Sequence, residues 1–140
     1  MTARYLLDTS IVSSPVSKIP SPEIARRLDR HGHECVIAAP VWHELVYGCG
    51  RLPLGRRRVT LETYLRDLIQ TTFPILNYDE AAASWHARER IRLEKLGRPA
   101  PYTNGQIAAI ARVNDLILVT TNTKDFAHFH ELVVEDWSKR

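Results

Sequence analysis

Ile117-Leu118-Val119-Thr120-Thr121-Asn122-Thr123-Lys124-Asp125-Phe126 is the stretch on which the fold turns. Its opening is almost wholly apolar, as a strand buried on both faces must be, and polar turn residues follow at once. The same grammar occurs at the other end of the chain, where Tyr5-Leu6-Leu7 runs into Asp8-Thr9-Ser10. Between these two strands, apolar runs alternate with segments of helical spacing. The pattern predicts a mainly parallel sheet covered by helices.

Working outward, Arg4–Asp8, Glu34–Ala38, Phe73–Leu76 and Ile117–Thr120 read as strands, with Leu132–Val134 as a possible edge strand. Ser13–Pro22 reads as a loop. Pro22–His31 reads as a helix with proline in its first turn, and Pro40–Tyr47 as one stopped by Gly48 and Gly50. Arg56–Thr71 carries helical spacing through Leu61, Tyr64, Leu65 and Leu68. Asp79 is placed to cap a long helix to Leu96, ended by Gly97 and Pro99. Thr103 and Gln106 match a capping box at the start of a helix to Val113. There is no repeat or linker, so residues 1–140 are expected to form one domain.

At 44% hydrophobic and 25% charged, the chain has ordinary globular composition. No apolar stretch is long enough for a membrane span. The region around Arg4 has neither an apolar h-region nor a small-residue cleavage site, so the expected location is the cytoplasm. Cys35 and Cys49 form no CxxC and read as two thiols rather than a disulfide or a metal pair. His31/His33 and His128/His130 lack common zinc spacing and read as solvated. The formal net charge is only +3, yet Arg56, Arg57 and Arg58 cluster, as do Arg88, Arg90, Arg92, Lys95 and Arg98. Such patches suit a polyanion, and equally a solvated helix face paired with Glu89 and Glu94. Tyr47, Tyr102 and Trp42 are candidates for stacking on bases, Trp42 being better suited to the core.

Four polar residues occupy comparable places. Asp8 and Asp125 follow strands, at the edge of an α/β sheet where ligands bind. Glu44 lies on the sheet-facing stripe of its helix with Val41 and Gly48, with no basic residue one helical turn away. A carboxylate there requires a cation or a hydrogen-bond network. Asn104 opens a helix. Ordinary readings stand beside these: Asp8 and Asp125 also suit helix starts, and Thr103-Asn104-Gly105 is common start-of-helix chemistry. Converging acids would hold a hard divalent cation.

Leu6-Leu7-Asp8-Thr9-Ser10, Trp42-His43-Glu44-Leu45-Val46-Tyr47-Gly48, Gly97–Ala108, Val119–Phe126 and the terminal Val134-Glu135-Asp136-Trp137 together resemble the PIN-domain ribonucleases of the VapC toxin type, from bacterial toxin–antitoxin pairs. The resemblance implies a PIN-like three-layer α/β/α sandwich with a sheet of four or five strands. It implies Mg²⁺- or Mn²⁺-dependent hydrolysis of RNA, tRNA or rRNA being usual targets. Asp8, Glu44, position 104 and Asp125 would be its catalytic and metal-binding residues, supported by Thr9, Ser10, Thr121 and Asn122. Arg56, Arg57, Arg58, Arg88, Arg92 and Arg98 become candidate RNA contacts. The implied partners are a VapB-type antitoxin and a second copy of the chain, in a homodimer or hetero-oligomer.

One position departs from the family: Asn104 stands where it has an aspartate. The amide is either natural or an inactivating replacement, and it implies weakened cleavage. The alternative is a PIN module that binds RNA or antitoxin without cutting. Two other classes place an Asp after their first strand, and both fit worse. A haloacid dehalogenase-type phosphatase wants a second Asp where Ser10 stands, and a signalling receiver wants an acidic pair that Met1–Tyr5 lacks.

Overall fold

Five strands form one sheet in the computed structural model, which describes residues 2–140. They are β1 (Tyr5–Leu7), β2 (Cys35–Ala38), β3 (Ile75–Leu76), β4 (Ile117–Val119) and β5 (Val134–Glu135), in the order β3-β2-β1-β4-β5. Every pairing is parallel. β1 is central, with Leu7 in register with Ile37 on one side and Val119 on the other. Leu6, Leu7, Ile37, Leu118 and Val119 are fully buried, as a sheet covered on both faces by helices demands. This is the PIN-like α/β/α architecture.

The chain turns from β1 into a short helix, α1 (Thr9–Val12), and a 3₁₀ turn at Ser14–Val16. The expected loop Ser13–Pro22 thus contains one 3₁₀ turn, where Ser14 is buried and its Oγ accepts from the Ser21 N–H at 3.2 Å. α2 (Pro22–His31) begins with the Ser21 hydroxyl accepting from the Ile24 N–H at 3.2 Å. α3 (Ala39–Gly50) runs through Gly48 rather than stopping there, since Cys49 packs into the core. α4 (Arg56–Thr63) passes into a π-helical stretch at Tyr64–Ile69 and a last turn, α5 (Gln70–Thr72).

α6 (Glu80–Lys95) is capped by the Asp79 carboxylate, which accepts from the Ala82 N–H at 3.0 Å. Gly97, with φ +72°, takes the left-handed conformation that ends it. α7 (Tyr102–Val113) starts one residue earlier than the sequence predicts, with Pro101 at its N-cap and no side-chain cap bond. The Thr103/Gln106 capping box therefore does not form. α6 and α7 pack closely at Gly105, where a Cβ would stand 2.1 Å from Nε2 of buried His86. Among the described residues, no helix is long and apolar enough to cross a membrane.

Candidate active site at the carboxyl edge of the sheet

The parallel register that pairs Leu7 with Val119 sets Asp8 beside Thr120, each one residue past its strand. Both are buried, Asp8 at 7% exposure and Thr120 at 0%. The Thr120 hydroxyl donates to Asp8 Oδ2 at 2.7 Å. Its Oγ1 also accepts from the Asn122 N–H at 3.0 Å and lies 3.5 Å from Ser10 Oγ. Ser10 Oγ in turn accepts from the Thr121 N–H at 3.1 Å. Thr9, next to Asp8, donates from its hydroxyl to Glu44 Oε2 at 2.8 Å.

One polar network therefore joins Asp8, Ser10, Thr120, Thr121 and Asn122, while Thr9 ties half-buried Glu44 of α3 to the same corner. Thr120 was not singled out from the sequence. Its signal lay in the strand register: a residue in step with Asp8 on the neighbouring strand is the nearest donor.

Asn104 sits half-buried in the first turn of α7, and α3 packs on α7. Asp125, exposed in the 3₁₀ turn Thr123–Phe126, does not join Asp8 and Glu44 in a three-acid cluster. It borders one hollow with Arg98 and His128, and another with Thr121, Asn122 and Lys139.

The donors at Asp8 and Glu44 suit a hard cation. They are oxygens, and each carboxylate has one oxygen engaged by a hydroxyl. Among the described residues, no Lys, Arg or His nitrogen lies within 4.0 Å of either acid. Cys35 and Cys49 are free thiols that donate to the His31 and Arg58 carbonyls, and Cys49 lines the hollow beside Glu44.

Beside Glu44 opens a hollow of about 300 Å³ whose lining includes Thr9, Leu45, Arg57, Leu61, Tyr64 and Leu65. Arg57 spans it to donate to the Val16 carbonyl at 2.8 Å. Tyr64 donates to the Val12 carbonyl at 2.6 Å. Burial pushes its phenol up to about 12, so it serves as a donor and not as a base at neutral pH.

The other candidate RNA contacts are dispersed. Arg58 pairs with Glu62 at 2.9 Å. Arg92 forks onto buried Glu89 with two bonds of 2.8 Å, and Arg98 donates to His128 Nε2 at 2.8 Å. Arg56 and Arg88 are exposed on separate helices. Trp42 packs against the core, as expected, while Tyr47 and Tyr102 lie under Arg51 and Arg90.

Comparison with known proteins agrees with this fold. The family described as "PIN domain" matches residues 5–132. The tRNA(fMet)-specific endonuclease VapC of Shigella flexneri is 29% identical over 96% of this chain and 98% of its own length. Ribonuclease VapC2 of Haemophilus influenzae is 30% identical over the same shares. The crystal structure of FitAcB from Neisseria gonorrhoeae superposes with a TM-score of 0.87 at 27% identity, covering 95% of this chain and 97% of that one. The chain belongs to the PIN-domain family, within its VapC ribonuclease branch.

Proposed function

We propose that this chain is the toxin of a type II toxin–antitoxin pair, a Mg²⁺- or Mn²⁺-dependent endoribonuclease of the cytoplasm whose cleavage is weakened by Asn104. Residues 1–140 are taken as one PIN domain, with structured RNA such as tRNA as the substrate. The observation that carries the reading is the buried Asp8 carboxylate at the edge of the central strand, held by Thr120 and free of any cationic partner among the described residues. A buried carboxylate in that state is stabilised by a cation.

Asp8 and Glu44 would hold the ion, with the Asn104 amide oxygen as a weaker third donor and Asp125 acting through water. A bound Mg²⁺ or Mn²⁺ supplies Lewis-acid activation of water and charge neutralisation at the phosphodiester. Thr120 and Thr9 each engage one oxygen of the two carboxylates, which would leave the other oxygen of each available to the ion. Hydrolysis then adds water across one P–O bond.

An amide at position 104 accepts no proton and carries no charge. Unit charges about 4 Å apart interact by roughly 4 kcal/mol at an effective dielectric of about 20. The missing carboxylate thus weakens hold on a divalent ion by a substantial part of twice that figure. The same amide favours a second reading, in which the chain binds RNA or antitoxin without cutting. The partner is a VapB-type antitoxin, and the apolar hollow beside Glu44 suits a segment of it that would cover the site. A second copy completes the assembly.

The test compares the present chain, Asn104→Asp and Asp8→Ala on a panel of tRNA and rRNA fragments across a Mg²⁺ titration. Asn104→Asp is expected to cleave at least tenfold faster at limiting Mg²⁺, and Asp8→Ala not at all. Equal rates for the first pair would remove the assigned role of position 104. Undiminished cleavage by Asp8→Ala would remove the site.

A further inference from the structure

The cationic residues best placed for a strand are not those that cluster in the sequence. α2 and the terminal residues enclose a hollow of about 460 Å³ lined by Glu23, Arg26, Arg27, Arg30 and Arg140. Four guanidiniums face one carboxylate, an excess of three positive charges that equals the formal net charge of the entire chain. Glu23 holds Arg26 at 2.6 Å and approaches Arg140 at 3.9 Å, yet these arginines stay 60% and 95% exposed. Arg27 donates to the Lys139 carbonyl at 3.1 Å. Like charges gathered this closely repel, and an anion threading between them relieves that repulsion.

One hydrogen bond links the residues of this hollow to those beside the candidate active site. Lys139, whose carbonyl receives Arg27, also lines a second hollow of about 330 Å³ together with Thr121, Asn122 and Lys124, where Asp125 and Asp136 balance the two lysines. Thr121 and Asn122 are the residues bonded to Ser10 and Thr120 beside Asp8. Arg26 and Arg30 lie one helical turn apart on one face, about 6 Å along the axis, within reach of successive phosphates.

We infer that Arg26, Arg27 and Arg30 of α2, with Lys139 and Arg140, form a phosphate-binding track that guides an RNA strand over the end of β4 to Asp8 and Glu44. This rests on the ribonuclease reading above. Guanidinium forks match phosphate oxygens two at a time, and the ribonuclease reading makes a phosphodiester backbone the anion to be held. The arginines first suggested by sequence clustering do not line this route. None of them lines either of these two hollows.

The experiment measures binding of a fluorescein-labelled single-stranded RNA 20-mer in Mg²⁺ by anisotropy, from low to high salt. It uses the full chain, Arg26→Gln/Arg30→Gln, Lys139→Gln, and Arg66→Gln as an exposed cation elsewhere. Neutralising two phosphate contacts should weaken binding at least tenfold at low salt. It should also flatten the slope of log K against log salt by about 1.4, at about 0.7 per contact for single strands. Lys139→Gln should account for about half that slope, and Arg66→Gln should match the parent.

An unchanged slope and affinity in the double variant overturns the track, as does an absence of RNA binding by the parent. Inorganic phosphate displacing the RNA below 1 mM overturns it in favour of a free-anion site. Unchanged RNA binding with an altered oligomeric state by light scattering overturns it in favour of a protein interface. With Asn104→Asp added, the double variant should raise KM for RNA about tenfold at unchanged kcat. Cleavage with unmoved KM refutes the track alone, whereas no cleavage by any form refutes the ribonuclease reading.

Discussion

Gly105→Ala puts two forces in direct opposition. Helix propensity alone makes alanine about 1 kcal/mol better than glycine in a helix interior. Packing makes it worse, because the new methyl would lie 2.1 Å from His86 Nε2 and 2.5 Å from its Cδ2. His86 is 4% exposed, its Nδ1 is 2.8 Å from the Tyr78 hydroxyl, and its ring centroid is 4.9 Å from that of Tyr102. Its burial and these two aromatic neighbours oppose a swing of the ring. Overpacking of this kind costs about 3 kcal/mol, and displacing the ring forfeits a hydrogen bond of about 1 kcal/mol. After the propensity gain the variant should be about 3 kcal/mol less stable. At a urea m-value of about 2 kcal/mol/M, the midpoint should fall by about 1.5 M. Removing the ring should undo this. In a cycle with His86→Ala, the double variant should be at least 1 kcal/mol more stable than the two single effects predict. A Gly105→Ala midpoint equal to or above the parent's would refute the packing argument. Because Asn104 precedes this contact, the same substitution should also loosen position 104.

Thr120→Val keeps the shape of the side chain but withdraws the hydroxyl from Asp8 Oδ2. In the Asn104→Asp form it should raise the Mg²⁺ concentration for half-maximal cleavage 10- to 100-fold, and a change under twofold would count against its orienting role. The Glu89 carboxyl is held below its ordinary range by the Arg92 N–H donors, with burial acting against them and the His130 N–H assisting. Its contribution to stability is thus present above the unfolded carboxyl value of about 4.3 and is lost as pH falls through the lower folded value. Glu89→Gln should have a shallower loss of urea stability below about pH 4.3, and parallel curves would contradict this. Burial and then Glu34 push the Cys35 thiol up to about 12, and burial also raises Cys49. Neither should react with a disulfide reagent at pH 8 until the chain unfolds, and a stoichiometric reaction of the native protein would show one of them accessible.

Much of this architecture is legible in the chain because local chemistry and burial agree. Ser21 and Pro22 mark the start of α2, Asp79 the start of α6, and the apolar runs at residues 5–7 and 117–119 become paired strands. The misjudged boundaries are those where tertiary burial outranks local signals. Buried Ser14 turns part of the Ser-rich segment into a 3₁₀ turn, Cys49 carries α3 past Gly48, and Pro101 starts α7 ahead of the Thr103 that suits its cap. The π-helical stretch leaves no trace in spacing, since Leu61, Leu65 and Leu68 suit a regular helix equally well. At the site, Asp8 stands out because it follows a buried strand at the sheet edge, and Glu44 because a carboxylate on a sheet-facing stripe needs a cation or donor. Asn104 is visible only through the family resemblance. Thr120 becomes visible only once the register of β1 against β4 is known, and the arginine hollow needs α2 and the terminal residues brought side by side.

The sheet ends on both sides in strands of two residues, Ile75–Leu76 and Val134–Glu135. So little open ladder offers a poor template for another chain to extend by strand addition. Stripped of every companion and crowded at high concentration, the molecule should precipitate late and without fibrils.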